Sequence, residues 1–133
     1  MSDYNDRIIA EFRANGARVQ GYGSHLVLLH TIGAKSGESR VAPAFSLEDG
    51  DAWLVVASAA GSPNHTAWYF NLLANPDIAL ETPTGLVDVR ATPLEGAAYD
   101  AAWARFVERA PTFAEYKERA GDRVIPVVRL TPR

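Results

Sequence analysis

The chain has 133 residues, which is the length of a single domain with one core. Apolar residues make up 47% of the chain, charged residues 22%, and the formal net charge is −3, so the composition is that of an ordinary globular protein without the basic excess of a nucleic-acid-binding domain. There is no cysteine, which excludes disulfides, thiolate nucleophiles and cysteine-based zinc sites.

The hydrophobic pattern predicts helices and strands that follow one another in groups. A short amphipathic helix comes first, then three strands, a helix that begins at Ser62-Pro63, two strands, two helical segments and a last strand. The predicted helices cover residues 3–15, 62–75, 95–109 and 112–120, and the predicted strands cover residues 26–32, 41–47, 53–58, 78–81, 86–91 and 123–130.

Short turns join the consecutive strands, and the Asp49-Gly50 turn is the clearest hairpin signal among them. The sheet should therefore be mostly antiparallel, with about six strands that curl toward a barrel and helices on its rim. This is an α+β fold in one domain that spans residues 1–133. The start of the chain is charged, and no apolar run approaches the roughly 20 residues of a membrane-spanning helix. We therefore expect a cytoplasmic protein, with peripheral membrane contact and oligomeric state left open.

Two segments carry unusual side-chain patterns. The run from Leu26 to Ile32 is so densely apolar that it should lie deep in the sheet. Trp68, Tyr69 and Phe70 are consecutive on a predicted helix, so they cannot all face one core, and at least one should line something else. We expect Phe70 to be the one that packs in the core.

The histidines do not form a metal-binding pattern. His25 and His30 are five positions apart on one predicted strand and so face opposite sides, while His65 is distant in sequence. No metal site is predicted. The chain also lacks the Gly-x-Ser-x-Gly motif of serine hydrolases, and no histidine–carboxylate pair can be identified from the sequence.

The turn between the first two predicted strands is the most informative local feature. It reads Gly33-Ala34-Lys35-Ser36-Gly37-Glu38-Ser39-Arg40. Its glycines and hydroxyls allow backbone N–H groups to converge, and Lys35 and Arg40 add positive charge, so the turn could hold a phosphate or a carboxylate. A solvated hairpin turn with ordinary basic residues has the same composition, and both interpretations stay open at this point.

A second loop, residues 58–64, leaves a buried strand and enters a helix. Such a loop presents free N–H groups and the positive end of the helix dipole, and its small residues would let a flat ligand lie close to the backbone. If the barrel places this loop beside the turn at 33–40, one could hold a ring and the other an anionic tail.

Several motifs between residues 25 and 130 together give a family resemblance. They are His30-Thr31-Ile32-Gly33, Lys35-Ser36-Gly37 with Arg40 and Pro43, Val56-Ala57-Ser58 with Gly61, Ala67-Trp68-Tyr69-Phe70-Asn71-Leu72, Ala74-Asn75-Pro76, Pro111 to Tyr116, and Ile125-Pro126-Val127-Val128. With these motifs the chain resembles the deazaflavin-dependent nitroreductase and quinone reductase family of actinobacteria. That resemblance implies a split β-barrel of the flavin-reductase kind and the reduced deazaflavin coenzyme F420 as hydride donor to a quinone, an enone, an unsaturated lactone or a nitroaromatic compound.

The resemblance also implies roles for individual positions. The expected cofactor-binding residues for the phosphate and polyglutamate tail are Ala34, Lys35, Ser36 and Arg40, with the backbone of Val41, Ala42, Pro43 and Ala44. Those expected along the deazaflavin are Val56, Ala57, Ser58 and Ala59 on one side and Ala67, Trp68 and Asn71 on the other. Ser58 would also face the substrate as a catalytic residue.

The acceptor pocket is expected to have a lid formed by Phe113 and Tyr116. Pro111 interrupts the preceding helix, and positions 113 and 116 lie three residues apart on one helical face. Tyr116 could orient a carbonyl or donate a proton, whereas the alternative is that both rings cap the barrel core. Family members often carry a run of tyrosines in this segment, where this chain has Tyr116 alone. They also often carry a basic residue after the serine, where this chain has Ala59. The range of acceptors is therefore an open question.

Two other functions are compatible with the same residues. A flavin mononucleotide (FMN) enzyme on a similar barrel would also place a phosphate at the turn. A non-catalytic carrier that holds coenzyme F420 without turning over a substrate would need only the cofactor-binding residues.

Overall fold

The computed structural model describes residues 3–15, 25–57, 67–121 and 124–133. Its elements follow the predicted order. They are α1 (Asp3–Ala14), β1 (Leu26–Ile32), β2 (Ser39–Asp49), β3 (Ala52–Val56), α2 (Ala67–Ala74), β4 (Asp77–Thr82), β5 (Gly85–Pro93), α3 (Gly96–Arg109), α4 (Thr112–Ala120) and β6 (Val127–Pro132).

The six strands form a closed barrel in the order β1-β2-β3-β6-β5-β4, and every neighbouring pair is antiparallel. The β2–β3 hairpin turns through two residues between Asp49 and Ala52, and Gly50 there has a φ of 65°, a conformation that glycine adopts without strain. The predicted antiparallel barrel in an α+β fold is therefore confirmed.

The interior of the barrel is filled by alternate residues of all six strands. Side chains alternate along a strand, so one set from each strand points inward. The buried inner set is Val27, Leu29, Ala44, Val55, Ile78, Leu80, Val89, Ala91, Val128 and Leu130, and Leu72 of α2 joins it. Because α2 contributes Leu72, with Trp68 packed against the same cluster, this helix closes one end of the barrel.

Two groups of helices cover parts of the outer wall. Ile8 and Phe12 of α1 pack against Leu26 and Leu28, so β1 is buried on both faces, as its dense apolar run predicted. Helices α3 and α4 pack against the outward-facing residues of β2, β3 and β6, with Phe106 fully buried at the centre of that cluster.

Two irregularities in the strand pairing matter for function. β2 pairs with β1 from Ser39 to Phe45, but it pairs with β3 only from Ser46 onward. β1 and β4 pair over three residues, Leu28 to His30, and then separate. In the described parts of the chain, β2 therefore has an unpaired edge over residues 40–45, and the barrel has a gap beyond His30.

Some predicted details are wrong. β6 begins at Val127 rather than at residue 123, and β2 extends two residues further at each end than predicted. Phe70 is 48% exposed, so the expectation that it packs in the core is wrong; Leu72 and Trp68 take the inward positions of α2 instead. The predicted helix start at Ser62-Pro63 lies outside the described residues.

Candidate active site

The turn between β1 and β2 is closed by its own hydrogen bonds. The Gly33 N–H donates to the Glu38 carbonyl at 2.8 Å, the Gly37 N–H donates to the Gly33 carbonyl at 3.0 Å, and the Glu38 N–H donates to Ser36 Oγ at 3.2 Å. Gly37 has a φ of 71°, which disfavours any larger residue. Within the described residues, these bonds leave the N–H groups of Lys35 and Ser36 free to bind a ligand.

The charged side chains of this turn are at the surface. Lys35 and Arg40 are both exposed. Arg40 Nη2 lies 3.3 Å from Glu38 Oε2, in an ion pair whose two side chains are 51% and 70% exposed. The turn therefore carries two cations and one carboxylate, a net positive charge at the end of the barrel where β1 ends and β2 begins.

Among the described residues, Asn71 of helix α2 links the helix to this turn. Asn71 Oδ1 accepts a hydrogen bond from the Ala34 N–H at 2.9 Å, and Asn71 Nδ2 donates to Thr31 Oγ1 at 3.3 Å. One helical turn later, Asn75 Nδ2 donates to the Ile32 carbonyl at 3.4 Å. The predicted wall residue Asn71 thus contacts the predicted tail-binding turn directly. Of its neighbours, Trp68 is half-buried and Ala67 is exposed.

The unpaired edge of β2 continues from the turn. The Ser46 N–H donates to the His25 carbonyl at 2.7 Å, toward β1, so alternate residues such as Ala44 and Ala42 also direct their backbone groups at β1. Val41 and Pro43 consequently direct theirs the other way, where no described strand pairs with them. This edge offers the Val41 N–H and two carbonyl oxygens to a ligand.

The predicted ring-binding strand ends beside that edge. Val56 is the last residue of β3, and the Ala57 N–H donates to the Pro126 carbonyl at 2.9 Å. Both residues are buried. Ser58 and Ala59 lie outside the described residues, so their predicted roles stay predictions.

The two predicted lid residues differ in burial. Phe113 is 6% exposed, and its ring lies 5.4 Å from that of Phe45 and 5.7 Å from that of Phe106, centroid to centroid. Tyr116 is half-buried; its ring packs edge-on against Phe113 at 5.8 Å, and the Arg119 guanidinium lies over it at 5.8 Å. Packing alone explains the buried position of Phe113, and its contact with an acceptor stays a prediction. The ring of Tyr116 is only partly covered.

Sequence reasoning missed the charged cluster around Glu81. Glu81 Oε1 lies 2.9 Å from His30 Nε2 and 3.0 Å from Arg13 Nη2, and these residues belong to β4, β1 and α1. The hydrogen bond from Arg13, and then that from His30, holds the pKa of Glu81 below its ordinary value, although burial opposes the shift. No local signal could have revealed this cluster, because His30 and Glu81 are 51 residues apart in sequence. It joins α1 to the barrel.

Comparison with known proteins identifies the family. The F420H2-dependent quinone reductase family matches residues 5–132. An F420H2-dependent quinone reductase of Mycobacterium tuberculosis is 38% identical over 123 residues, which cover 89% of this chain and 80% of that protein. The chain belongs to the F420H2-dependent quinone reductase family. It is therefore an F420H2-dependent oxidoreductase whose cofactor is coenzyme F420, as the resemblance predicted, and the FMN alternative is not supported.

Solved structures agree with this assignment. The structure of the F420H2-dependent reductase FDR-A superposes with a TM-score of 0.72 at 38% identity and covers 80% of this chain and 93% of its own. A second structure, described as a domain-swapped dimer, has a TM-score of 0.75 at 34% identity and covers 94% of this chain and 95% of its own. The split-barrel fold is thereby confirmed.

The described residues fit such a coenzyme. An anionic tail needs cations and converging N–H groups, and the turn provides Lys35, Arg40 and two free N–H groups. The tail also needs backbone donors and acceptors beyond the turn, and the unpaired edge of β2 provides the Val41 N–H and the carbonyl oxygens of Val41 and Pro43. The turn and the edge are continuous in the chain, so one ligand can contact both.

Proposed function

We propose that this reductase transfers a hydride to a quinone or to another flat conjugated acceptor. The observation that carries the proposal is the junction of an electropositive turn with the unpaired edge of β2. This junction fixes the anionic end of a ligand at one place and leaves its ring beside the barrel end. Quinones come first among the acceptors because the chain belongs to a family of quinone reductases.

The proposed cofactor-binding residues divide into two groups. Ala34, Lys35, Ser36 and Arg40 hold the anionic tail, with the backbone of residues 41–44. The residues along the ring are Val56, Ala57, Ser58, Ala59, Ala67, Trp68 and Asn71. When bound, coenzyme F420 supplies the hydride. The protein orients the ring, keeps water away with buried Val56 and Ala57, and holds the turn in place through Asn71.

We assign the acceptor side to Tyr116, with Ser58 as the second polar group. The half-buried ring of Tyr116 packs against Phe113, which contacts Phe45, two residues along β2 from Pro43. From this position a hydroxyl could orient an acceptor carbonyl or donate the proton that follows hydride transfer. Phe113 supports that ring from behind.

Peripheral membrane contact forms part of this proposal. The described part of the chain contains no helix long and apolar enough to cross a membrane. Helix α2 carries no charged residue, and Phe70 and Leu73 are 48% and 50% exposed on its outer face. An apolar face beside the cofactor-binding turn suits entry of a lipid-soluble acceptor. Flotation with vesicles, comparing the wild type with Phe70→Ser, tests it; equal flotation would refute the contact.

The cofactor site is tested by titration with coenzyme F420. Lys35→Ala/Arg40→Ala removes two charge-assisted contacts, each worth about 1.5–3 kcal/mol when fully formed, so the Kd should rise by at least about tenfold. The effect should shrink at high salt. Arg7→Ala/Arg105→Ala makes the same change in net charge away from the turn and should leave the Kd nearly unchanged. An unaltered Kd in the first double variant would overturn the site.

The acceptor is tested by oxidation of reduced coenzyme F420 in the presence of quinones, enones and nitroaromatic compounds. The proposal expects the highest kcat/KM with a quinone. Tight binding of the coenzyme without oxidation by any of these acceptors would contradict the proposed hydride transfer.

A further inference from the structure

The electropositive turn contains a carboxylate that opposes its proposed role. Glu38 Oε2 lies 3.3 Å from Arg40 Nη2, and the two residues are separated only by Ser39. The backbone of Glu38 is fixed at both ends, because its N–H donates to Ser36 Oγ and its carbonyl accepts from the Gly33 N–H. Its side chain is 70% exposed, so the carboxylate is tethered beside Arg40 yet free to swing into water.

A tethered carboxylate and an incoming anion must compete for the same guanidinium. An exposed ion pair of this kind favours the paired state by a factor of about one to five. For simple competition the apparent Kd of any anion at Arg40 is multiplied by one plus that factor, which is about two to six. The pair is thus strong enough to weaken binding measurably and too weak to prevent it.

We propose that Glu38 is an intramolecular competitor that keeps binding of the coenzyme's anionic tail reversible. It neutralises Arg40 in the free enzyme, and it recaptures the guanidinium when the tail departs. Reversibility matters because a coenzyme that has given up its hydride must leave before the next reduced molecule binds. The inference rests on the proposed function, in which Arg40 contacts that tail.

The test is a gain of affinity, which damage to the fold would not produce. Glu38→Gln keeps the side-chain shape and removes the charge. Titration with coenzyme F420 should give a Kd about two- to sixfold lower than that of the wild type. Its salt dependence should also be steeper, because Arg40 is then always available to the ligand. Glu38→Ala should change the Kd in the same direction.

The controls separate competition from a general change of charge. Glu108→Gln makes the same change in net charge on the exposed face of α3 and should leave the Kd unchanged. In an Arg40→Ala background most of the gain from Glu38→Gln should vanish, because there is no guanidinium to release. An equal gain in that background would mean that Glu38 acts on the ligand only through its electrostatic field and does not compete for Arg40, and it would overturn the inference.

Failure of the inference can be distinguished from failure of the proposed site. If Glu38→Gln leaves the Kd unchanged while Lys35→Ala/Arg40→Ala raises it, the turn binds the tail and Glu38 does not compete. If none of these variants changes the Kd, the tail does not bind at this turn, and both proposals are overturned.

Discussion

Replacing Asn71 by alanine should weaken both the fold and coenzyme binding. The change removes the hydrogen bond from the Ala34 N–H at 2.9 Å and the one to Thr31 Oγ1 at 3.3 Å. Ala34 is an exposed residue, so its N–H can bind water instead. Thr31 is only 1% exposed, so its hydroxyl loses a partner in a buried place. One exchanged hydrogen bond and one buried unpaired hydroxyl together cost about 2–3 kcal/mol.

This free energy is large enough to measure in two independent ways. With an unfolding entropy of about 2.1 cal/mol/K per residue, it lowers the Tm by roughly 7–11 °C. The Kd for coenzyme F420 should rise as well, since the turn that we propose to bind the tail no longer has its hydrogen bond to α2. Differential scanning calorimetry and a binding titration measure the two effects.

Thr31→Val is the matched control, because it keeps the branched shape of the side chain and removes the hydroxyl. In a double-mutant cycle, Asn71→Ala should destabilise the Thr31→Val protein less than the wild type, by about 0.5–1.5 kcal/mol. The reasoning would be refuted by an Asn71→Ala variant whose Tm and Kd both equal those of the wild type.

Two further predictions concern the charged cluster that joins α1 to the barrel, formed by Arg13, His30 and Glu81, and the proposed acceptor residue Tyr116. Glu81→Gln should lower the free energy of unfolding by about 1–2 kcal/mol at neutral pH, since the carboxylate loses its charge-assisted bonds to Arg13 and His30. Because folding lowers the pKa of Glu81, its stabilising contribution is complete above the unfolded pKa and is lost as the pH falls through the folded pKa, below the ordinary value of 4.5. Urea unfolding across that range should therefore show the wild type converging on the variant; a constant difference would contradict the pKa shift. Tyr116→Phe should preserve the Tm and the Kd for the coenzyme but lower kcat with quinones, and full activity in this variant would assign the ring to packing alone.

The architecture was largely predictable because it depends on local signals. Alternating and continuous apolar runs, a Gly50 hairpin and a proline after the α3 segment determine which residues form each element, and these features are all short-range. The family motifs added the barrel class and the cofactor. The positions of Lys35 and Arg40 on an exposed turn also follow from the sequence around them.

The contacts that organise the site could not be predicted, because they depend on how the barrel closes. Ala34 and Asn71 are 37 residues apart, and they meet only once α2 lies across the end of the barrel. The burial of Phe113 has the same origin, since Phe45 of β2 completes its surroundings. Phe70 was misplaced for a related reason: α2 has apolar residues on all sides, and its sequence does not show which side meets the barrel.

The gap between β1 and β4 is bridged by a side chain. Beyond His30 the two strands no longer pair, and the Ile32 carbonyl, which points toward β4, accepts its hydrogen bond from Asn75 Nδ2 instead. The side-chain amide of Asn75 therefore supplies the hydrogen bond that a residue of β4 would otherwise donate, at the point where β1 leads into the turn proposed to bind the tail. Local opening of the barrel should therefore begin between β1 and β4, where the amide hydrogens of residues 32 and 77 should exchange fast. Exchange should be slow along the seven-residue pairing of β1 with β2. The turn thus joins β1 to β2 along the firmly paired edge of β1, and it lies next to the edge of β1 that opens toward β4. It can therefore adjust to a ligand while the rest of the barrel stays closed.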